Sequence, residues 1–494
     1  MQVQSRAMRS RRAIGSLWAA AALAAGGVVP AGHASAAQPA EAGGSQPNIV
    51  LILTDDQTME SVAKMPYVSS RTNWINFTSA WINNALCCPS RATILQGRYD
   101  THTGVGNNVS AGNFNESETL PVWLQRAGYR TGLFGKYFNG YPFGRGNYYV
   151  PPGWDEWQAG YGNMYKQYDW NMSSNGTSVH YGTSAADYEV NVLAQKTSDF
   201  IAASAASGQP FFAYFTPTAT HSPWRASPTW SGKFATTPVK GSPNFNEADV
   251  SDKPAWVRAL PTRDRSVMDA NRRKEWAAAG SVDDAVRRID GALQTAGVID
   301  NTVVIFMTDN GYAFGEHRWV KKICEYNECN STPLLVRYPG QGGRQDSHLI
   351  SNVDLASTIS EIGGATPGLP QDGMSFAPLL TGTPPASWRD GLLQHWSGGD
   401  GKGKPGTPDS VPQFWAVRTA NWKYVEIDNG DKELYDEGAD PYELTNRAGD
   451  ATLAAVQADL KLKLDALKAS AGAKAGPLRT DIPAPGPMSF TDLD

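Results

Sequence analysis

Between residues 48 and 337, hydrophobic residues gather in short unbroken runs: Asn48-Ile-Val-Leu-Ile-Leu53, Phe211-Phe-Ala-Tyr-Phe215, Thr302-Val-Val-Ile-Phe-Met307 and Pro333-Leu-Leu-Val-Arg337. Runs this short, without polar alternation, predict strands covered on both faces, as in a parallel sheet. Between them the spacing becomes helical. Val282, Val286, Ile289 and Leu293 share one face, and a second helix is predicted near Tyr188 to Ala203. Strands alternating with helices predict an α/β fold: a large, mixed, mostly parallel sheet flanked by helices, doubly wound, up to about Thr383. Beyond a Pro/Gly-rich break (Gly382 to Pro412), Phe414–Arg418, Lys423–Ile427 and Glu433–Tyr435 are separated by Asn/Gly/Asp turns and predict a smaller antiparallel sheet. Leu453, Val456, Leu460, Leu464 and Leu467 add an amphipathic helix. The predicted organisation is a main domain at 47–383, a C-terminal α+β subdomain at 384–475 and a flexible Pro/Gly-rich tail at 476–494.

The first residues do not belong to this fold. Arg6, Arg9, Arg11 and Arg12 form a basic head, an apolar run follows from Ala13 to Val29, and Ala34-Ser35-Ala36 supplies a cleavage site. This predicts a signal peptide at 1–36 and a linker at 37–46. Ser10-Arg11-Arg12 is a partial twin-arginine signal, beside the ordinary secretory reading. No later segment is apolar for long enough to span a bilayer, so a soluble protein, secreted or periplasmic, is expected. The 494-residue chain is 41% hydrophobic, ample for a large core, and its net charge of -5 without a basic stripe argues against nucleic acid as a partner. Its four cysteines form two pairs. Cys324-x4-Cys329 suits a small disulfide loop in an oxidising compartment. A four-cysteine zinc site is disfavoured because Cys87 and Cys88 are adjacent.

Asp55-Asp56 follow the first run with only Thr54 between, and Asp309-Asn310 follow the third with only Thr308 between. In doubly wound sheets, functional groups collect at the carboxyl ends of the strands. Four hard oxygen donors, three of them anionic, predict a site for Ca2+, with Mg2+ as second choice, rather than for zinc or copper. Turn or capping chemistry explains either dipeptide alone. The repeated T-D-[DN] form favours the metal.

Cys87-Cys88-Pro89-Ser90-Arg91, with Leu95-Gln96-Gly97-Arg98 in phase, resembles the C-x-P-S-R and L-x-G-R signature of the type I, formylglycine-dependent sulfatases of the alkaline phosphatase superfamily. The resemblance implies an alkaline-phosphatase-like fold. It also implies that Cys87, two before the proline, is oxidised to formylglycine (3-oxoalanine) by a formylglycine-generating enzyme acting on the unfolded chain, with Cys88 in the variable slot. An aldehyde hydrates to a gem-diol. The group made from Cys87 is then also the fifth metal ligand: one hydroxyl, deprotonated on the divalent cation, can attack sulfur, and proton loss from the other then expels sulfate.

The likeness extends over nearly all of residues 47–450. Gly128-Tyr-Arg-Thr-Gly-Leu-Phe-Gly-Lys136 is similar to the family's G-Y-x-T-x-x-x-G-K segment, which makes Lys136 a sulfate contact. Thr220-His221-Ser222-Pro223 resembles P-H-x-P, whose histidine protonates the departing alcohol. Gly315-Glu316-His317, Lys322, Tyr326 and Pro333 fall in phase with G-E-H…K…Y-E…P-L, which makes Lys322 the second sulfate-binding lysine, with Lys321 one residue out of register. His317 is expected to be structural. Glu433-Leu-Tyr-Asp436, Asp440-Pro441 and Glu443 match the C-terminal E-L-Y-D…D-P-x-E stretch. These roles make physical sense: lysines and a metal stabilise charge on sulfate oxygens, a histidine serves the leaving group, and the planar fork of Arg91 can hold the nucleophile and the carboxylates.

One departure bears on substrate. Where many members read G-K-W-H, this chain reads Gly135-Lys136-Tyr137-Phe138-Asn139, so Asn139 stands in the place of a histidine. The C-C-P-S-R form and the G-K-Y-x-N-x-Y segment look most like the N-acetylglucosamine-6-sulfatase and heparan endosulfatase branch, with arylsulfatases nearby. His102 and His395, the latter beside Trp396 in a Gly-rich loop, are further candidates for substrate contact. The expected activity is hydrolysis of an organic sulfate monoester, aryl, small-molecule or glycan, to an alcohol and sulfate. The alternatives are a phosphonate monoester or phosphodiester hydrolase of the same superfamily, and a non-catalytic exported glycan-binding protein using its tryptophans.

Overall fold

In a computed structural model of the protein, residues 46–472 are described, apart from 147, 399–403, 405–406 and 408–409. The predicted signal peptide, the linker as far as Ser45 and the tail lie outside the described residues. Ten strands make the main sheet: β1 (Asn48–Thr54), β2 (Ile75–Phe77), β3 (Arg130–Gly135), β4 (Glu156–Tyr161), β5 (Trp170–Ser174), β6 (Thr177–Tyr181), β7 (Phe211–Thr216), β8 (Thr302–Thr308), β9 (Leu335–Arg337) and β10 (Arg344–Asp346). Their order is β10-β2-β9-β8-β1-β7-β3-β4-β5-β6. The central five, β8-β1-β7-β3-β4, are parallel, while β9 and β5 run against their inner neighbours.

Every residue of β1, β7 and β8 is buried, as their unbroken apolar runs require. Alternate side chains of β1 serve two cores. Ile49, Leu51 and Leu53 pack with Leu95, Trp123, Leu355 and Ile359. Val50 and Ile52 pack with Leu193, Val282, Val286 and Ile289 on the other face. Burying each such side chain contributes about 1.5–3 kcal/mol. The expected helices are present at Glu189–Ser207 and Arg265–Thr295. The first stops where Gly208 adopts φ +69°, a left-handed conformation that glycine tolerates. The second begins where the Asp264 carboxylate accepts from the backbone N–H groups of Ser266 and Val267.

The C-terminal sheet has four antiparallel strands: Leu392–Trp396, Phe414–Arg418, Trp422–Ile427 and Lys432–Asp436. Its first strand corrects the sequence reading, which placed His395 in a Gly-rich loop. Leu392–Trp396 is wholly buried and pairs with Phe414–Arg418. The Ala454–Ser470 helix buries Leu460 and Leu464 against the sheet. Loops of the main sheet fasten to it: the Tyr326 hydroxyl donates to Glu433 (2.9 Å), the Asn327 N–H to the Glu443 carboxylate (2.8 Å), and Lys253 Nζ to the Glu443 carbonyl (2.8 Å). Among the described residues no helix is long and apolar enough to cross a membrane.

Candidate active site

Sheet register brings the two strand-end dipeptides together. β1 and β8 pair in parallel from Asn48↔Thr302 to Thr54↔Thr308, and the Asp309 N–H donates to the Thr54 carbonyl (3.0 Å). Asp55 and Asp309 therefore leave the sheet side by side. Asp56 turns with φ +56°, a left-handed conformation open to Asp, and points into the same crevice. On the other side of β1, β7 and β3 end at Thr216 and Gly135, and the Lys136 N–H donates to the Thr216 carbonyl (2.7 Å). Lys136 and the loop carrying His221 thus emerge at the same edge.

Cys87 is the first residue of a ten-residue helix, Cys87–Gln96, in which every side chain is buried. The N-terminal end of its dipole favours negative charge at residue 87. Cys87 Sγ lies 3.7 Å from Asp55 Oδ1 and 3.0 Å from Lys322 Nζ. Lys322 Nζ also donates to both oxygens of Asp56 (2.8 and 2.9 Å), and Lys136 Nζ to Asp55 Oδ2 (2.5 Å). One turn into the helix, Arg91 donates from Nε to Asp309 (2.8 Å) and from a terminal nitrogen to the Lys136 carbonyl (2.9 Å) and Thr216 Oγ1 (2.6 Å). Its other terminal nitrogen lies 3.6 Å from Asp55. The guanidinium thereby ties β1, β3, β7 and β8 into one frame.

Burial works against all these charges, yet pairing prevails. It pushes Asp55 and Asp56 upward, but Lys136 and His221 against the first and Lys322 and His221 against the second hold both below the ordinary carboxylate value. Burial likewise presses Lys136 and Lys322 down, and Asp55 and Asp56 lift them well above the ordinary lysine value. The Cys87 thiol is pushed up to about 11 by burial, only partly offset by the two lysines. It is a neutral thiol at neutral pH, and so a weak nucleophile.

The same residues suit a divalent cation. Ligand atoms of Asp55, Cys87 and Asp309 lie within 4.8 Å of one another, as do those of Asp55, Asp56 and His221. Asn310 donates through Nδ2 to Asp56 (2.7 Å), while its Oδ1 is buried with no protein partner. A buried, unsatisfied amide oxygen beside three carboxylates fits a hard, oxygen-preferring ion.

His221 faces the cluster from a cavity of about 320 Å3 lined by Asp56, Pro223, Trp224, Tyr312 and Lys322. Its Nδ1 donates to the Ser222 carbonyl (2.7 Å), which leaves Nε2 facing Asp56 at 3.5 Å. Burial lowers its pKa, partly countered by Asp56. Lys322, rather than Lys321, enters the cluster because the chain zigzags through φ +97° at Lys321 and +64° at Ile323. The disulfide Cys324–Cys329 (Cα–Cα 5.7 Å) closes the loop immediately beyond.

The three candidates for substrate contact have protein partners. His102 pairs through Nδ1 with Asp372 (2.7 Å) beside Gly472. His395 pairs with Asp100 (3.0 Å) and stacks on Trp415 at 3.6 Å. Asn139 serves Cys88, its N–H donating to Sγ (3.2 Å). Tyr165 was not foreseen. Its ring packs against His221 at a 40° tilt (4.5 Å between centres), Lys136 Nζ lies 5.2 Å from the ring centre, and its hydroxyl is buried without a protein partner. It lies in the 139–175 stretch, which carries no motif to signal it. Glu189 is a second omission, accepting from the Thr218 N–H (2.9 Å) and so propping the loop that holds His221.

Two buried lysines, a histidine and a cysteine at a helix N-terminus, gathered around three carboxylates, suit the hydrolysis of an anionic ester. The known proteins most like this chain make the class specific. A profile described as Sulfatase matches residues 47–365, and one described as N-sulphoglucosamine sulphohydrolase, C-terminal, matches residues 315–470. The N-acetylglucosamine-6-sulfatase of Homo sapiens is 34% identical over 455 residues, covering 82% of this chain and 82% of its own. Among solved structures, a protein in complex with its substrate D-glucosamine-2-N,6-O-disulfate superposes with TM-score 0.74 at 24% identity, over 88% of this chain and 99% of that one. The phosphonate monoester hydrolase of Agrobacterium radiobacter gives 0.70 at 23% identity, over 86% and 96%. The chain belongs to the sulfatase family. It is a sulfuric ester hydrolase, cleaving organic sulfate monoesters to an alcohol and inorganic sulfate.

Proposed function

We propose that the enzyme removes the 6-O-sulfate of an N-acetylglucosamine unit, with Cys87 converted to formylglycine and Ca2+ held by Asp55, Asp56, Asp309 and Asn310. The observation that carries the reading is the placement of Cys87 Sγ, 3.0 Å from Lys322 Nζ and 3.7 Å from Asp55 Oδ1, at the N-terminus of a buried helix. The substrate is supported by the relative named N-acetylglucosamine-6-sulfatase. A thiol with a pKa near 11 cannot serve as an efficient nucleophile at neutral pH, which favours its conversion.

Geometry supports the following roles. Lys136 and Lys322 grip the non-bridging oxygens of sulfate in a site where water does not screen them. Arg91 keeps Asp55 and Asp309 aimed at the reacting centre. His221 Nε2, when protonated, hands its proton to the departing alcohol oxygen, while Nδ1 keeps the ring fixed on the Ser222 carbonyl. Tyr165 closes the ring face of His221 against water. A divalent cation held by the four oxygen donors supplies Lewis acidity. The Cys324–Cys329 disulfide supports export to an oxidising compartment.

Two measurements test this reading. The peptide containing Cys87 should show an aldehyde mass, and a free thiol in fully active protein overturns the proposed conversion. N-acetylglucosamine 6-sulfate should be desulfated, with activity lost to a chelator and restored better by Ca2+ than by Mg2+. Faster cleavage of an aryl phosphodiester than of an aryl sulfate would point to a phosphonate or phosphodiester substrate instead.

A further inference from the structure

Tyr165 reaches the catalytic edge by its own route. β3 and β4 pair in parallel as far as Gly135↔Ala159, so β4 ends beside the strand that delivers Lys136. Gly162 then turns the chain at φ +61°, and the short turn Asn163–Lys166 buries Met164 in the core. The next side chain, Tyr165, meets the catalytic residues instead. Its ring packs against His221, 4.5 Å away between centres, and Lys136 Nζ lies 5.2 Å from the ring centre.

The hydroxyl of Tyr165 is buried and has no hydrogen-bond partner in the protein. An unpaired buried hydroxyl is costly, and such a group calls for a ligand. Its surroundings say of what kind. Burial raises the phenol above its ordinary value, only partly offset by Lys136, so at neutral pH it keeps its proton and is a donor. Asp55 and Cys87 press in the same direction as burial. Lys136 Nζ and Lys322 Nζ already donate to Asp55 and Asp56. The phenol is therefore a donor in the same cluster that no carboxylate has taken.

We propose that Tyr165 is a further catalytic residue, its hydroxyl donating to a non-bridging oxygen of the bound sulfate beside Lys136. This rests on the reading that Lys136 grips sulfate. The contact is made with the sulfuryl group and not with the alcohol. Its contribution is therefore independent of the leaving group, unlike that of His221.

Tyr165→Phe tests this, because it keeps the ring against His221 and removes only the oxygen. kcat/KM should fall about 10- to 100-fold, the scale of one hydrogen bond to a charged group, and by the same factor for phenyl sulfate and nitrophenyl sulfate. The Ki for inorganic sulfate, which does not depend on the fraction of chains that are active, should rise by about tenfold. The unfolding midpoint should not fall, since the oxygen removed has no partner to strand. If either kcat/KM or Ki stays within about twofold of the parent, the proposal is overturned. A loss confined to phenyl sulfate, the poorer leaving group, also overturns it and makes Tyr165 a positioning residue for His221. Lys136→Met keeps the two readings apart: if that variant leaves the Ki for sulfate unaltered, the grip by Lys136 fails by itself, and Tyr165 is still judged by its own Ki.

Discussion

Burial of charge has opposite outcomes at the strand ends and under the C-terminal sheet. At the strand ends, Asp55 and Asp56 lie below their ordinary value and Lys136 and Lys322 well above theirs, so both signs stay ionised. Under the C-terminal sheet, burial dominates. Glu247 rises to about 7, Glu443 to about 8 despite its close pairing with Lys423, and Glu325 well above the usual range. His317 is driven down to about 4, neutral between the Glu247 carboxylate, which accepts from Nδ1 (2.7 Å), and Asn244, which donates to Nε2 (3.2 Å). The side chains of both clusters are buried. In the first, Lys136, Lys322 and Arg91 stand against Asp55, Asp56 and Asp309 in turn. Keeping charge ionised out of water is costly, and it persists where chemistry uses it. The second cluster sheds charge and works as a fastening.

The largest effect that would break this contrast is at the nucleophile. Cys87→Ala should lower aryl sulfate turnover by on the order of 10^4-fold or more, with the thermal unfolding midpoint near that of the parent. Lys322→Met and Lys423→Met then set the clusters against each other. The first should cut kcat by about 10^2- to 10^3-fold through loss of an oxyanion contact. The second should leave kcat per folded molecule intact but cost about 1–3 kcal/mol of stability by leaving the buried Glu443 carboxyl without its partner. If Lys423→Met instead lowered kcat with stability untouched, the division between chemistry and fastening would collapse. His221→Ala should cost about 10^2-fold on a sugar sulfate and clearly less on nitrophenyl sulfate, whose leaving group needs no proton. Equal losses on both would remove His221 from the acid role.

The smallest effect is in pH. His317 has a folded pKa of about 4, below the ~6.5 of an unfolded histidine. Between those values the unfolded chain binds a proton that the folded one refuses, so acidification through this window destabilises the fold. Glu247 and Glu443, raised to about 7 and about 8 in the fold, act in the opposite direction, so the readout is the difference from the parent: on going from pH 7 to pH 5, His317→Asn should gain unfolding midpoint relative to the unaltered protein. An unchanged slope would mean that another group carries it.

Much of the centre is legible in the sequence because its motifs are local. Asp55-Asp56, Asp309-Asn310 and Cys87–Arg91 each sit at an element boundary set by the hydrophobic pattern. What joins them is not local. The Thr54↔Thr308 register follows from pairing strands some 250 residues apart in sequence, a distance that no window spans. Lys322 is separated from Lys321 only by positive φ angles. Tyr165 and Trp224 come from stretches without periodicity, where backbone path alone decides which side chain meets the site. The strand Leu392–Trp396 was hidden because Gln394 and His395 interrupt its apolar run. Asp100 accepts from Nδ1 of the buried His395, a partner invisible at that separation.

The Cys87–Gln96 helix bears on how active protein is made. All ten of its residues are buried, and Cys87 is 0% exposed. Once that helix is seated, no second enzyme can reach the thiol, so on the reading proposed above conversion and folding compete for each newly made chain. Chains that fold first are well packed and permanently silent, and only unfolding gives them another chance. The specific activity of a preparation therefore records the outcome of that race, decided before any substrate arrives.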